Sequence, residues 1–197
     1  SAGIAGDMLL GALLDAGASL DAVRSAVAAV VPGEVAVRTS TVTRAGLRAL
    51  KVDVEPVAEG HPHRSWARIR TLLGSADLPA TTRDRALAVF ARLADAEGRV
   101  HGIPADDVHF HEVGSWDAIA DIVGVCSALA DLGVSRVTAS PVALGSGRAR
   151  AAHGDLPVPV PAVLELARGW QVLAGGEREL ATPTGMALLR TLTDACG

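Results

Sequence analysis

Apolar and polar positions alternate along this chain with two different periods, and the changes of period mark out its elements. Met8, Leu9, Leu10, Leu13 and Leu14 follow the turn Gly3-Ile4-Ala5-Gly6 and predict a mostly buried helix from Asp7 to Ala16, ended by Gly17. Ser19 restarts a helix with Leu20, Val23, Val27 and Val30 at helical spacing, and Pro32-Gly33 stops it. From Glu34 the period falls to two. Val35, Val37, Thr39 and Thr41 alternate with polar or small residues, as do Leu50, Val52 and Val54 beyond Ala45-Gly46, so a β-hairpin is expected over 35–54. A polar loop runs from Pro56 to Arg64. Ser65 then suits the cap of a short helix through Leu73, and a longer helix is expected from Thr81 or Thr82 to Gly98, with Leu87, Phe90, Ala94 and Glu97 in helical register.

Over Asp107 to Val113, Val108 and Phe110 alternate with His109 and His111, so an extended backbone puts both imidazoles on one face. Ser115 opens a helix whose buried stripe is Ile119, Ile122, Cys126 and Leu129, while Asp117 and Asp121 share another face. A short strand near Val137, a Gly145-Ser146-Gly147 turn and the run Leu156 to Pro161 follow, with Pro161 suited to a first helical turn. Thr182-Pro183-Thr184-Gly185 leads into a helix expected from Met186 to the C-terminus. These elements predict an α/β fold in one unit over 1–197, with a small mixed sheet that includes the 35–54 hairpin and several helices packed on it.

Composition narrows the function classes. The hydrophobic share of 49% is carried by Ala, Val and Leu with only 3% aromatics, so the core should be aliphatic. No stretch reaches the roughly 18 uninterrupted apolar residues of a membrane span. A net charge of -4 without a Lys/Arg cluster argues against a nucleic-acid partner. Cys126 and Cys196 stand far apart in helix-like sequence, which fits free thiols in a reducing cytoplasm, and the start lacks the pattern of a secretory signal. The sequence leaves a homo-oligomer open.

The chemistry is concentrated in grouped histidines: His61 with His63, His109 with His111, and His153 before the Pro-rich run. Imidazole suits nickel, copper, zinc and iron, and two such side chains one residue apart on an extended segment can reach a common ion. Glu112, Asp117 and Asp121 add oxygen ligands or partners for imidazole N–H groups. A surface loop with solvated imidazoles, or a solvated helix face for the two aspartates, is the competing reading. Gly3, Gly6 and Asp7, like Thr182, Thr184 and Gly185, stand at helix starts whose free amides could take the phosphate of a substrate. Helix capping and tight packing explain the same residues. Trp66, Trp116 and Trp170 flank apolar stretches and read as packing residues.

Taken together, Gly3-Ile4-Ala5-Gly6-Asp7-Met8, His61-x-His63-Arg64, the stretch from Ala96 to Gly102, His109-Phe110-His111-Glu112 running on through Asp117 and Asp121 to Gly124, Gly145-Ser146-Gly147, His153-Gly154 with its Pro-rich run, and Thr182-Pro183-Thr184-Gly185 resemble the LarC family. The match runs nearly end to end in the same order. The resemblance implies that nickel is placed between two thiocarboxylate sulfurs of a pyridinium mononucleotide, with a nickel–carbon bond formed and CTP consumed. It implies that His61, His63, His109, His111, Glu112, Asp117, Asp121 and His153 handle the metal. Among them, His109, His111 or Glu112 would take the ring proton, in lyase-class chemistry. It further implies a preceding strand bearing an Asp, and a C-terminal half of the same protein, absent from this sequence, where CTP binds with a divalent cation. A nickel store or metallochaperone is the alternative. A metal-dependent hydrolase ranks below both, since no H-E-x-x-H is present.

Overall fold

The computed structural model describes residues 3–57, 64–110, 115–151 and 154–196. Helices α1 (Gly6–Asp15) and α2 (Leu20–Val30) follow one another, α2 being capped by Ser19, whose hydroxyl accepts the Ala22 N–H at 3.2 Å. Strands β1 (Val35–Arg44) and β2 (Leu47–Pro56) form the expected hairpin with Val37 opposite Val54 and Thr39 opposite Val52. Its two-residue turn has φ of 49° at Ala45 and 79° at Gly46, the positive pair that a mirror-image turn needs to match strand twist.

Next come β3 (Arg64–Ser65), α3 (Trp66–Ser75) capped by the Ser65 hydroxyl, α4 (Ala80–His101), a single 3-10 turn at Ala105–Asp107, β4 (His109–Phe110) and α5 (Trp116–Asp131). The remainder comprises β5 (Thr138–Ala139), β6 (Val142–Ala143), β7 (Gly147–Ala151), β8 (Gly154–Val158), α6 (Pro161–Ala167), β9 (Val172–Leu173), α7 (Pro183–Leu192) and β10 (Ala195–Cys196). The fold class is α/β. Among the described residues the strands pair in five two-stranded pieces: β1–β2, β3–β4 and β7–β8 antiparallel, β5–β10 and β6–β9 parallel.

Helix α5 is the hub. From Ala118 to Leu129 every residue except Asp121 is buried, so the expected one-sided stripe is an all-round apolar surface packed by α1, α2, α4 and β2. Two close approaches set α1 against it. A Cβ at Gly6 would lie 2.9 Å from the Asp121 Cβ, and one at Gly124 would lie 2.9 Å from a Leu10 methyl. Phe90 and Leu93 from α4 join Ile119 and Ile122 in the completely buried centre. Each such side chain contributes about 1.5–3 kcal/mol on burial. No helix of the described residues is long and apolar enough to cross a membrane.

Element ends depart from expectation in two places. Helix α4 passes through Gly98 and ends at Gly102, which takes a φ of 68°. Gly98 is there for space: the returning chain donates the Ile103 N–H to the Gly98 carbonyl at 2.9 Å, and a Cβ would meet the Ile103 oxygen at 2.8 Å. Helix α7 begins at Pro183 rather than Met186 and stops at Leu192. Val137 and Asp194 exchange hydrogen bonds of 3.1 and 2.9 Å, which draw the chain into extended pairing with β5, so Cys196 belongs to a strand and not to a helix.

Candidate functional site

Three helix starts face one cleft of about 380 Å³: Gly6 and Asp7 of α1, Ser115 and Asp117 beside the start of α5, and Thr182 to Thr184 at α7. The hairpin closes one wall with Val52, Asp53 and Val54. Among the described residues, Asp7, Asp53, Asp117, Asp121 and Glu179 give this cleft five carboxyl groups, and no Lys or Arg lines it. Two like charges about 4 Å apart repel by roughly 4 kcal/mol at the effective dielectric of a protein surface. The cleft therefore favours cations.

Asp121 lies deepest. Burial above all, and then the neighbouring charges of Asp7 and Asp117, push its carboxyl up to about 8, against an opposing hydrogen bond donated by the Asp7 backbone N–H. Its Oδ1 is buried without a hydrogen-bond partner. Asp121, expected from sequence as an oxygen ligand or a partner of imidazole N–H groups, is thus a half-buried carboxyl whose hold on its proton is raised.

The residues expected to meet a phosphate divide by role. A Cβ at Gly3 would lie 1.8 Å from the Leu180 oxygen, one at Gly6 2.7 Å from Asp121 Oδ2, and one at Gly185 2.2 Å from the Ile4 oxygen. Close packing, against backbone at Gly3 and Gly185 and against the Asp121 side chain at Gly6, accounts for these glycines. Thr182 caps α7, its Oγ1 accepting the Gly185 N–H at 3.1 Å. Asp7 is the second residue of α1, whose cap position is Ala5, so its carboxylate faces the cleft and does not cap. Thr184 lines the cleft as well.

Of the expected metal-handling residues, Asp117 and Asp121 line this cleft. His109 is exposed on β4, and its Nδ1 stands 3.1 Å from the Asp107 carbonyl oxygen. A carbonyl only accepts, so Nδ1 carries the proton and the Nε2 lone pair is left for a metal. His61, His63, His111, Glu112 and His153 lie outside the described residues. Among the described residues no three His, Cys, Asp or Glu side chains are grouped closely enough to hold one ion.

The ends of the two histidine segments do meet. Arg64, bonded to His63, pairs across β3–β4 with Phe110, which is bonded to His111. Arg64 is only 6% exposed, and its guanidinium lies 3.2 Å above the centre of the ring of Trp116, the first residue of α5. Such a stack is worth about 0.5–2 kcal/mol. Arg64, Phe110 and Trp116 thus form one junction beside Ser115 and Asp117 on the cleft wall. Burial lowers the Arg64 pKa, but not enough to discharge a guanidinium.

Sequence reasoning passed over Asp53, Glu179 and the Arg64–Trp116 stack. Asp53 is one of many polar positions on an alternating strand, and nothing local separates it from Arg38 or Glu55. Glu179 arrives through the Gly145–Glu179 bridge, a contact between distant segments.

Comparison with known proteins places the chain in context. The model of the family described as "Nickel insertion protein" matches residues 1–197. The chain is 54% identical to the pyridinium-3,5-bisthiocarboxylic acid mononucleotide nickel insertion protein of a Nocardioides species, over 100% of this chain and 50% of that protein. It is 43% identical to the protein of the same name from Desulfitobacterium hafniense, over 95% of this chain and 46% of the relative. The chain spans about half the length of the curated relatives it matches. No solved structure matches it.

Proposed function

Because the chain belongs to the nickel insertion protein family, we propose that it takes part in inserting nickel into pyridinium-3,5-bisthiocarboxylic acid mononucleotide, the nickel being a substrate. The observation that carries this reading is the junction of Arg64, Phe110 and Trp116, which adjoins an acidic cleft through Ser115 and Asp117 on either side of Trp116. In the sequence His63 directly precedes Arg64 and His111 directly follows Phe110, which supports His61, His63, His109 and His111 serving one ion, with Glu112 and His153 as further ligands. Asp117 and Asp121 lie on the same side. The dication and the pyridinium charge are both drawn to carboxylates, and a binding site of one sign concentrates its counter-ion.

In this reading the Asp107 carbonyl orients His109 and leaves Nε2 to bind nickel, the arrangement that partners of metal-bound imidazoles impose. When nickel bonds to the ring carbon, the carbon loses its proton. His109, His111 or Glu112 takes it, being next to the metal and able to cycle between protonation states. This makes the reaction lyase-class metal insertion. CTP, with its divalent cation, is assigned to the C-terminal half that the longer relatives possess, and 1–197 is the metal-handling domain. A soluble cytoplasmic setting suits the chemistry.

The test is equilibrium dialysis of nickel against the parent and a His109→Ala/His111→Ala double variant. Loss of stoichiometric nickel from the double variant is expected, with folding preserved because His109 is exposed. Stoichiometric nickel retained by the variant would refute the site. A carrier that only stores the ion would bind nickel and show no affinity for a pyridinium mononucleotide.

A further inference from the structure

Beside the acidic cleft, and sharing Asp7 with it, a second cavity of about 430 Å³ runs between α1 and the hairpin. Its walls include Met8, Ala12 and Leu50, and its basic residues are Arg44, Arg48 and Lys51, the last being the sole lysine of the chain. Building on the function proposed above, we infer that this groove holds the phosphate of the mononucleotide, while the pyridinium ring passes over Asp7 into the acidic cleft. The phosphate would then lie away from the helix starts at Gly6 and Pro183.

Charge decides the placement. A helix start offers an anion about half an elementary charge, whereas the cleft around those starts is lined, among the described residues, by the carboxyl groups of Asp7, Asp53, Asp117, Asp121 and Glu179. The capping hydroxyl of Thr182 is already engaged with Gly185. In the groove the balance reverses, with three cations facing the carboxylates of Asp7 and Asp15.

These cations are also held in position. Arg48 pairs with Asp15 at 2.8 Å, and Lys51 pairs with Asp53. A guanidinium has five N–H groups and an ammonium three, so each ion pair leaves donors for phosphate oxygens. Arg44 is exposed at the end of β1 with no ion pair among the described residues. Lys51 and Asp53 lie two residues apart on β2, about 7 Å along a strand, and border the groove and the cleft respectively. Their ion pair therefore stands at the border between the basic groove and the acidic cleft, where a zwitterionic ligand would cross from one to the other. Met8, 62% exposed, supplies apolar surface for the part between.

The test uses isothermal titration of the full-length protein with nicotinate mononucleotide, a pyridinium mononucleotide, and with its phosphate-free riboside. The mononucleotide is expected to bind at least about tenfold more tightly than the riboside, as charge-assisted hydrogen bonds require. Arg44→Ala and Lys51→Gln should each remove most of that preference. The mononucleotide should also protect Lys51, the sole lysine of residues 1–197, from acylation, read by mass spectrometry at that residue, where inorganic phosphate at equal concentration protects less. An unchanged preference in both variants, or no protection of Lys51, overturns the inference. Nickel dialysis of the parent separates the two proposals: a protein that binds mononucleotide through this groove but no nickel loses the insertion reading alone, and one that binds nickel with an unchanged preference in both variants loses the groove alone.

Discussion

At Asp121 a carboxyl group is kept out of water by α1 and α5 and faced by two other acids, and its proton affinity rises accordingly. The consequence for stability has a definite sign. The unfolded chain releases this proton near pH 4, whereas the folded chain keeps it up to about pH 8. Between those values the native state binds more protons, so stability falls as pH rises through the window and levels off above it. Asp121→Asn keeps the shape and cannot ionise. Its melting temperature should therefore lie closer to the parent's at pH 5 and above it at pH 8, by several degrees. A parent and variant with parallel pH profiles would mean that Asp121 does not carry the slope. Sequence alone gave no hint of this, because Asp117 and Asp121 are spaced like any solvated pair and only the approach of Gly6 buries one of them.

Among the elements, those with local signals were the most legible. Ser19 and Ser65 cap the helices expected of them, and the alternation of Val35 to Val54 describes a real hairpin. Where the signal needed a distant partner, reading failed: Gly98 looked like a stop but is a contact point, and Cys196 was placed in a helix that Thr193 and Asp194 have already left. The hairpin also carries a strain that its sequence shows once the turn is known. Ala45 holds a φ of 49°, a region that an alanine enters at a cost and that asparagine tolerates. Ala45→Asn should raise the unfolding free energy by about 0.5–1 kcal/mol, measured as a higher urea midpoint with an unchanged slope. A midpoint that stays or falls would place the limiting strain elsewhere.

Across the whole molecule, one buried helix organises the candidate site. Helix α5 carries Asp117 and Asp121 into the cleft, offers Trp116 to Arg64, and packs against α1, whose start faces the same space. The histidine grouping was readable because its spacing is local. Convergence was not, since Asp53, Glu179 and Arg64 reach the site through contacts between segments far apart in sequence. The groove with Arg48 and Lys51 adds the complementary charge, so an acidic end and a basic end lie side by side along β2. In the function proposed above, this arrangement brings nickel and a pyridinium mononucleotide together. The most direct measurement is the nickel affinity of the protein with and without pyridinium-3,5-bisthiocarboxylic acid mononucleotide. Stoichiometric nickel, held more tightly when the mononucleotide is present, is the predicted result. An affinity that the mononucleotide leaves unchanged, or nickel bound no better than by a variant lacking His61, His63, His109 and His111, would contradict it.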